Sequence, residues 1–346
     1  MGDPAGIGPE VAIRALSDSR ISKLAHFLVI GDFFVIDKVK KILRAKTEIS
    51  LLDLANVPFT NFSFGSERSS FGKAAMEYID SALALLKAGE ADCLVTAPIN
   101  KSSIQKCGFK DFQGHTEYLA KKTNSEEFAM MFVGKNLKIT LVTRHIALSD
   151  VAGAISVDSI CKTIRLTYEH LIKFFGIKNP KIAVAGLNPH ASEGGLFGDE
   201  EERIIIPAIS KTSRVIKNIY GPIPADVVFY EALKGKFDAV VAMYHDQALA
   251  PFKTLYFNDG VNLTLGLPFV RTSPDHGTAF DIAGKGIADA VSMKEAILLA
   301  CRLTKVGDVF PRRTRDGFRD GERSRTKTSP TLWMTYAYSN PAKGLV

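Results

Sequence analysis

The feature that most constrains this chain is a repeated alternation of short apolar runs with longer segments of helical periodicity. The apolar runs lie at residues 26–31, 92–97, 128–133, 137–143, 181–187, 237–243 and 261–265. Several are near-continuous, as expected of strands covered on both faces, whereas a half-solvated strand alternates. The helical segments lie at 33–43, 74–88, 157–175, 200–210 and 294–303. In segment 157–175, Ile160, Ile164, Tyr168, Leu171 and Phe175 form one amphipathic stripe. Strand–helix alternation predicts an α/β fold with a largely parallel sheet. At 346 residues the chain is long enough for two lobes. No GxGxxG string occurs, so a dinucleotide site with the Rossmann fingerprint is disfavoured.

Both ends depart from this pattern. Met1 opens directly into GDPAGIGPE, a Gly/Pro turn of the kind that follows a strand, and the strand that should lead into it is absent. Of the net charge of +7, nearly all falls from residue 301 onward, where ten Lys/Arg face four Asp/Glu. The main body is therefore 1–303, and 304–346 is an atypical basic tail, expected to be disordered, that holds the single tryptophan, Trp333. The tail has charge but little aromatic interleaving, so nucleic acid is not the expected partner. No apolar run approaches the ~18 residues of a membrane span, and no secretory leader is visible. The four cysteines, Cys93, Cys107, Cys161 and Cys301, are scattered, which suits a reducing cytoplasm.

The histidines carry the most chemical information. His145, His190 and His245 each follow an apolar strand candidate. In a parallel sheet, groups at the strand C-termini converge on one edge, where ligands bind. Each of the three alone reads as a hydrogen-bonding loop histidine. Together they suit a divalent-metal site with open positions for substrate oxygens, Asp246 being placed to orient an imidazole. The spacing is long-range and lacks the force of an HExxH helix.

Lys253, Asn262 and Arg271 follow in one stretch. Arginine grips phosphate or carboxylate through two parallel hydrogen bonds and lysine supplies a point charge, so the stretch suits an anionic substrate, against the ordinary alternative of surface solvation. In GDPAGIGPE, Gly6 and Gly8 precede a helix start and either present backbone N–H groups to a phosphate or form a tight structural turn.

These strings together resemble the 4-hydroxythreonine-4-phosphate dehydrogenase (PdxA) family. The strings are GDPAGIGPE, TAPINK, GHTEYLA, TRHIALSD, LNPHASEGGLFGDEE, GPIPAD, YHDQALAPFK, VNLTLGLPFVRTSPDHGTAFDIAGKG and SMKEAI, spanning residues 2 to about 303 in family order. The resemblance implies a two-lobed α/β unit of the isocitrate and isopropylmalate dehydrogenase type. It implies a homodimer with the active site at the interface, where His145, His190 and His245 hold zinc, magnesium or cobalt and the last histidine comes from the partner. His115 and Thr116, with Lys253, Asn262 and Arg271, correspond to substrate-binding positions. His276, Gly277, Thr278 and Asp281 fall in a segment that looks like the NAD or NADP loop of the related dehydrogenases. His115 and Lys253 are both candidates for the general base.

The reaction so implied is NAD(P)-dependent oxidation of 4-phosphohydroxy-L-threonine. Its product loses CO₂ to give 3-amino-2-oxopropyl phosphate in pyridoxine biosynthesis. Two alternatives stand beside it: a paralogous dehydrogenase of a phosphorylated threonate or erythronate, and an inactive copy lacking the first strand.

Overall fold

The computed structural model describes residues 1–307. Its ten strands are β1 Leu28–Gly31, β2 Ser50–Asp53, β3 Cys93–Val95, β4 Ala129–Val133, β5 Lys138–Leu141, β6 Ile182–Ala185, β7 Ile219–Ile223, β8 Ala239–Ala242, β9 Val261–Leu265 and β10 Val270–Pro274. The first six helices are α1 Gly8–Leu16, α2 Ser19–Ser22, α3 Phe33–Leu43, α4 Ser69–Ala88, α5 Lys101–Lys106 and α6 His115–Lys122. The others are α7 Val151–Ala154, α8 Val157–Lys173, α9 Ile206–Ser213, α10 Ala225–Leu233, α11 His245–Tyr256 and α12 Val291–Gly307. Local chemistry sets several of these ends. Asn100 accepts the Ser103 N–H at the start of α5, Ser156 and Ser159 form a reciprocal capping box on α8, and Gly89 closes α4 at φ 72°.

Eight strands form one sheet in the order β3-β10-β9-β4-β5-β8-β6-β7. Four pairings are parallel: β3 with β10, and the run β5-β8-β6-β7. The three central pairings, β10-β9, β9-β4 and β4-β5, are antiparallel. The largely parallel α/β sheet thus carries an antiparallel centre, built on the short β4–β5 and β9–β10 connections that only antiparallel neighbours allow. β1 and β2 pair in parallel as a separate two-stranded sheet.

The strands missed in the sequence share a reason. β2 and β7 are only partly buried, and β10, VRTSP, is buried but polar because it lines a cleft. None reads as an apolar run. The segment expected as a helix at 200–210 opens with a π-helical turn, Glu201–Ile205, before α9.

Helices cover both faces of the long sheet. One face of β5, β6 and β8 packs Ile139, Ala183 and Val240 against Phe252 of α11 and Val228 of α10. The other packs Val184 and Val241 against Ile160, Ile164 and Leu171 of α8. At the far end, α12 seats Ala296, Leu299, Ala300 and Leu303 on β9 and β10. Full burial of the Val, Ile, Leu and Phe side chains among these stabilises the fold by about 1.5–3 kcal/mol each. α12 continues past the expected boundary at 303, with Thr304 buried. Residues 308–346 of the basic tail, including Trp333, lie outside the described residues. No helix among the described residues is long and apolar enough to cross a membrane.

Candidate active site

A cleft of about 380 Å³ opens over β4, β9 and β10, walled by the loops that follow β3, β5 and β8. Its floor is electrostatically unusual. Arg271, on β10, is 3% exposed. Its Nη1 donates to Thr264 Oγ1 at 3.0 Å and its Nη2 to Thr96 Oγ1 at 2.6 Å, while Nε has no partner. Two hydroxyls satisfy hydrogen bonds but do not neutralise the charge. Burial lowers the Arg271 pKa to about 10 against the opposing charge of Glu117, an unusual depression for a guanidinium. A buried cation with neutral partners is costly unless an anion completes it. Beside it, Asn262 on β9 has a buried Oδ1 without a partner. Both side chains project from paired strands, which hold them without a ligand.

His115 and Thr116 open α6 at the cleft wall. Burial, then the charges of Arg271, the N-terminus and Lys101, push the His115 pKa well below 6.5, so this imidazole is neutral at pH 7. Arg144 Nε lies 3.4 Å from Glu117 Oε1, pinning a carboxylate at the rim. Across the cleft, Lys253 Nζ donates to the Asp275 carbonyl at 2.9 Å and lies 3.2 Å from its carboxylate. Burial raises the Asp275 pKa against the opposing pull of Lys253.

The three strand-end histidines do not converge equally. His145 and His245 follow neighbouring parallel strands, and their ring centroids lie 5.7 Å apart in the cleft. His245 Nδ1 is 2.6 Å from Asp246 Oδ1, an arrangement that leaves Nε2 available. Burial, then Lys101, lowers the His145 pKa and favours the neutral, ligating form. His190 lies apart on an exposed turn, its Nδ1 3.0 Å from Glu193 Oε2, a contact that raises its pKa. Among the described residues no group of three or more His, Cys, Asp or Glu is close enough to hold a metal. One chain therefore brings two of the three imidazoles together. The resemblance takes the last, His245, from a partner, but in this chain it is His190 that stands away from the other two.

The turn bearing His190 is shaped by residues the sequence reading passed over. His190, Ala191, Ser192 and Glu193 all have positive φ, between 48° and 67°. Glu201, fully buried, anchors the preceding residues by accepting the Leu187 and Asn188 N–H groups at 2.7 and 2.8 Å. Gln247 accepts the Met243 N–H at 2.7 Å and donates to the Gly186 carbonyl at 2.6 Å, tying the ends of β8 and β6. These two amide and carboxylate braces set where the His245 and His190 segments start.

Of the residues singled out in the sequence, His115, Thr116, His145, His245, Lys253, Asn262, Arg271, His276 and Gly277 line the cleft. His190, Thr278 and Asp281 do not line it. Thr278 instead packs on Gly6 and accepts the Ile7 N–H at 2.9 Å. The glycines of GDPAGIGPE serve close packing: a Cβ on Gly2 would sit 2.3 Å from the Pro98 carbonyl, and one on Gly8 2.4 Å from the Met1 carbonyl. The cleft also takes in Thr96, Lys101, Glu117, Ser273 and Asp275. Lys101, Glu117 and Asp275 sit inside the strings TAPINK, GHTEYLA and SPDHG, where adjacency to a named residue was the available signal.

An α/β chain whose cleft joins paired imidazoles to a buried guanidinium hydrogen-bonded only to hydroxyls is of the class that binds anionic metabolites. The chain belongs to the PdxA family: the family described as pyridoxal phosphate biosynthetic protein PdxA matches residues 13–300. It is 46% identical to a 4-hydroxythreonine-4-phosphate dehydrogenase of Desulfosudis oleivorans, over 87% of this chain and 93% of that protein. It is 45% identical to a protein of Oceanobacillus iheyensis, provisionally named D-threonate 4-phosphate dehydrogenase, over 88% of this chain and 96% of the relative. The crystal structure of 4-hydroxythreonine-4-phosphate dehydrogenase from Klebsiella pneumoniae superposes with a TM-score of 0.78 at 38% identity, over 88% of this chain and 96% of that one.

Proposed function

We propose that this chain is a nicotinamide-dependent dehydrogenase that oxidises 4-phosphohydroxy-L-threonine. The product, 2-amino-3-oxo-4-phosphooxybutanoate, then loses CO₂ to give 3-amino-2-oxopropyl phosphate. The observation that carries the reading is Arg271, a buried guanidinium satisfied only by hydroxyls and aimed into the cleft beside His145 and His245. Arg271, with Asn262 and Thr116, takes one anionic end of the substrate. Lys253, fixed by Asp275, supplies a second positive contact. Grip at both ends orients the secondary alcohol towards the imidazole side of the cleft.

His115 is the general base of this reading. It is neutral, and an anion bound to Arg271 cancels one of the charges that hold its pKa down, so basicity rises when substrate binds. Lys253 is instead tied to Asp275 through both of its contacts, which fixes it as a binding contact. The imidazoles of His145 and His245 fit a divalent cation as two nitrogen donors, and His190 of a second copy of the chain is the third. When bound, such a cation lowers the pKa of the substrate alcohol and withdraws charge from the ketone during decarboxylation. A bound nicotinamide would accept the hydride. His276 and Gly277, at the cleft rim, with Thr278 and Asp281 beyond it, form the segment that holds the cofactor.

The test is formation of reduced NAD or NADP from 4-phosphohydroxythreonine, before and after chelation confirmed by elemental analysis. Turnover should vanish on metal removal and return with zinc, magnesium or cobalt. Undiminished hydride transfer by the metal-free protein would refute the mechanism. A second reading, oxidation of a phosphorylated threonate, is favoured by the 45% identity to the Oceanobacillus iheyensis protein. The phosphate grip serves both substrates equally, so kcat/KM measured on each decides between them.

A further inference from the structure

Three basic side chains line the cleft: Lys101, Lys253 and Arg271. Arg271 donates to two hydroxyls, and Lys253 is tied to Asp275. Lys101 differs from both, since its Nζ has no ion-pair or hydrogen-bond partner among the described residues. An unpaired lysine on an open surface is ordinary, because water solvates it well. One that lines a ligand cleft beside a second cation is not, because the two charges repel and both favour an anion. Glu117 and Asp275 are the acids that line the cleft, and each is already engaged, Glu117 by Arg144 and Asp275 by Lys253.

Local structure brings Lys101 to a particular wall. The Asn100 side chain accepts the Ser103 N–H at 2.7 Å and so fixes the start of α5, from which Lys101 projects. The stem then passes over Gly114, with Cε 3.9 Å from the point that a Cβ there would occupy. Gly114 immediately precedes His115, the base of the reading above. Burial first, and the Lys101 charge after it, lowers the pKa of both His115 and His145. An unpaired cation therefore stands on the side of the cleft where base and imidazole meet.

We propose that Lys101 binds the carboxylate of the substrate, on the carbon next to the reacting alcohol, while Arg271 holds the phosphate. The inference rests on the dehydrogenase reading and adds the contact that selects for an acid. Lys253, whose charge Asp275 already meets, is left as an orienting contact. A lysine suits the position. Its compact charge on a flexible stem follows a group that is about to leave, where a guanidinium fork would lock a planar carboxylate through two bonds. CO₂ departs uncharged, so the contact ends with decarboxylation and the product stays held by its phosphate. The cleft thereby selects phosphorylated hydroxy acids, whether the neighbouring carbon bears an amino group or a hydroxyl. It discriminates against a phosphorylated alcohol of the same skeleton that lacks the carboxylate.

The test is a cycle of two ligands and two proteins, read by titration calorimetry. The ligands are 4-phosphohydroxy-L-threonine and 3-amino-2-hydroxypropyl phosphate, the same molecule without its carboxylate. Lys101→Met keeps the apolar stem and removes the charge, and since Lys101 is exposed the melting curve should not move. It should weaken binding of the acid about tenfold or more and leave that of the decarboxylated ligand unchanged. Lys101→Arg should recover most of the loss. Arg271→Met should instead weaken both ligands. An equal loss for both ligands in Lys101→Met, no loss for either, or an Arg variant as weak as the Met variant would each overturn the proposal. Reduced cofactor is followed on the same samples. The expected binding pattern without any hydride transfer would sink the dehydrogenase reading and leave the carboxylate contact standing. Normal turnover with no preference for the acid would sink the contact alone.

Discussion

The two sides of the cleft are built on different principles. The anion side is carried by strands: Arg271 and Thr264 face each other in register across β10 and β9, and Thr96 follows β3. The imidazole side is carried by turns after strands, and one of its three histidines, His190, sits on an exposed left-handed turn away from the other two. Strands hold a side chain through the ladder on both flanks, so the guanidinium stays in place although only hydroxyls hydrogen-bond to it. Turns hold a side chain only through braces such as Glu201 and Gln247. On the metal-site reading, a single chain therefore contains a finished anion grip and an unfinished donor set. On the reading proposed above, substrate charge is bound by one subunit while the chemistry waits on assembly.

The sharpest way to break that contrast is complementation. His190→Ala and His245→Ala should each abolish turnover, with kcat reduced at least ~10³-fold and an unchanged melting curve. If His190 reaches the site of the other copy, mixing the two dead variants after partial unfolding should restore activity. One site in each heterodimer would then be intact, giving about a quarter of the wild-type rate at equal mixing. If His145, His190 and His245 of one chain form the site, the mixture stays inactive.

On the anion side the expected effect is smaller and opposite in its relation to stability. Arg271→Ala should lower kcat/KM by about 100-fold or more, since charge-assisted hydrogen bonds contribute about 1.5–3 kcal/mol each. Arg271→Met should be as inactive but melt at a higher temperature than the parent, because it removes a buried cation hydrogen-bonded only to hydroxyls. An Arg271→Met chain that melts lower would show that Thr96 and Thr264 offset the charge more fully than the geometry indicates. Steady-state kinetics and calorimetry on the same preparations measure both effects.

The contrast also explains what could be read before the fold was known. Strands buried on both faces, such as β6 and β8, announce themselves as apolar runs, and the histidines that follow them were legible as strand-end groups. β10 was invisible as a strand because Arg271 and Ser273 are buried at the cleft and Thr272 donates to the Ala296 carbonyl of α12, which removes the apolar signal. Arg271 could still be singled out, since an arginine in an otherwise apolar stretch needs a reason. Glu201 and Gln247 could not. Their importance lies in hydrogen bonds to backbone groups of distant strands, and nothing local distinguishes them from solvated residues. The separation of His190 from the other two histidines was equally hidden, since spacing along the chain fixes the strand each follows but not the path of the turn after it.

The two sides meet at a buried histidine that takes no part in the cleft. His170 of α8 lies with Nδ1 2.8 Å from the Leu166 carbonyl, and its Nε2 accepts the Gly266 N–H at 3.1 Å. Gly266 sits at φ 88° in the β9–β10 connection, where a Cβ would come within 2.1 Å of the Glu127 carbonyl. His170 thus ties the helix under the imidazole side to the hairpin that carries Arg271. Burial lowers its pKa to about 4 from 6.5. A folded-state pKa below the unfolded value means the unfolded chain binds the extra proton first. The stabilisation is complete above pH 6.5 and is lost as pH falls towards 4, reaching about 3 kcal/mol. Asp3, whose pKa burial raises to about 6, works in the opposite sense over the same range, so the raw pH profile mixes the two. The difference between the parent chain and His170→Gln isolates the histidine, because glutamine can still accept from Gly266 without titrating. That difference should shrink steadily from pH 7 to pH 4 in urea melts. A constant difference would mean that His170 takes up its proton as readily in the folded chain as in the unfolded one, against the burial described here.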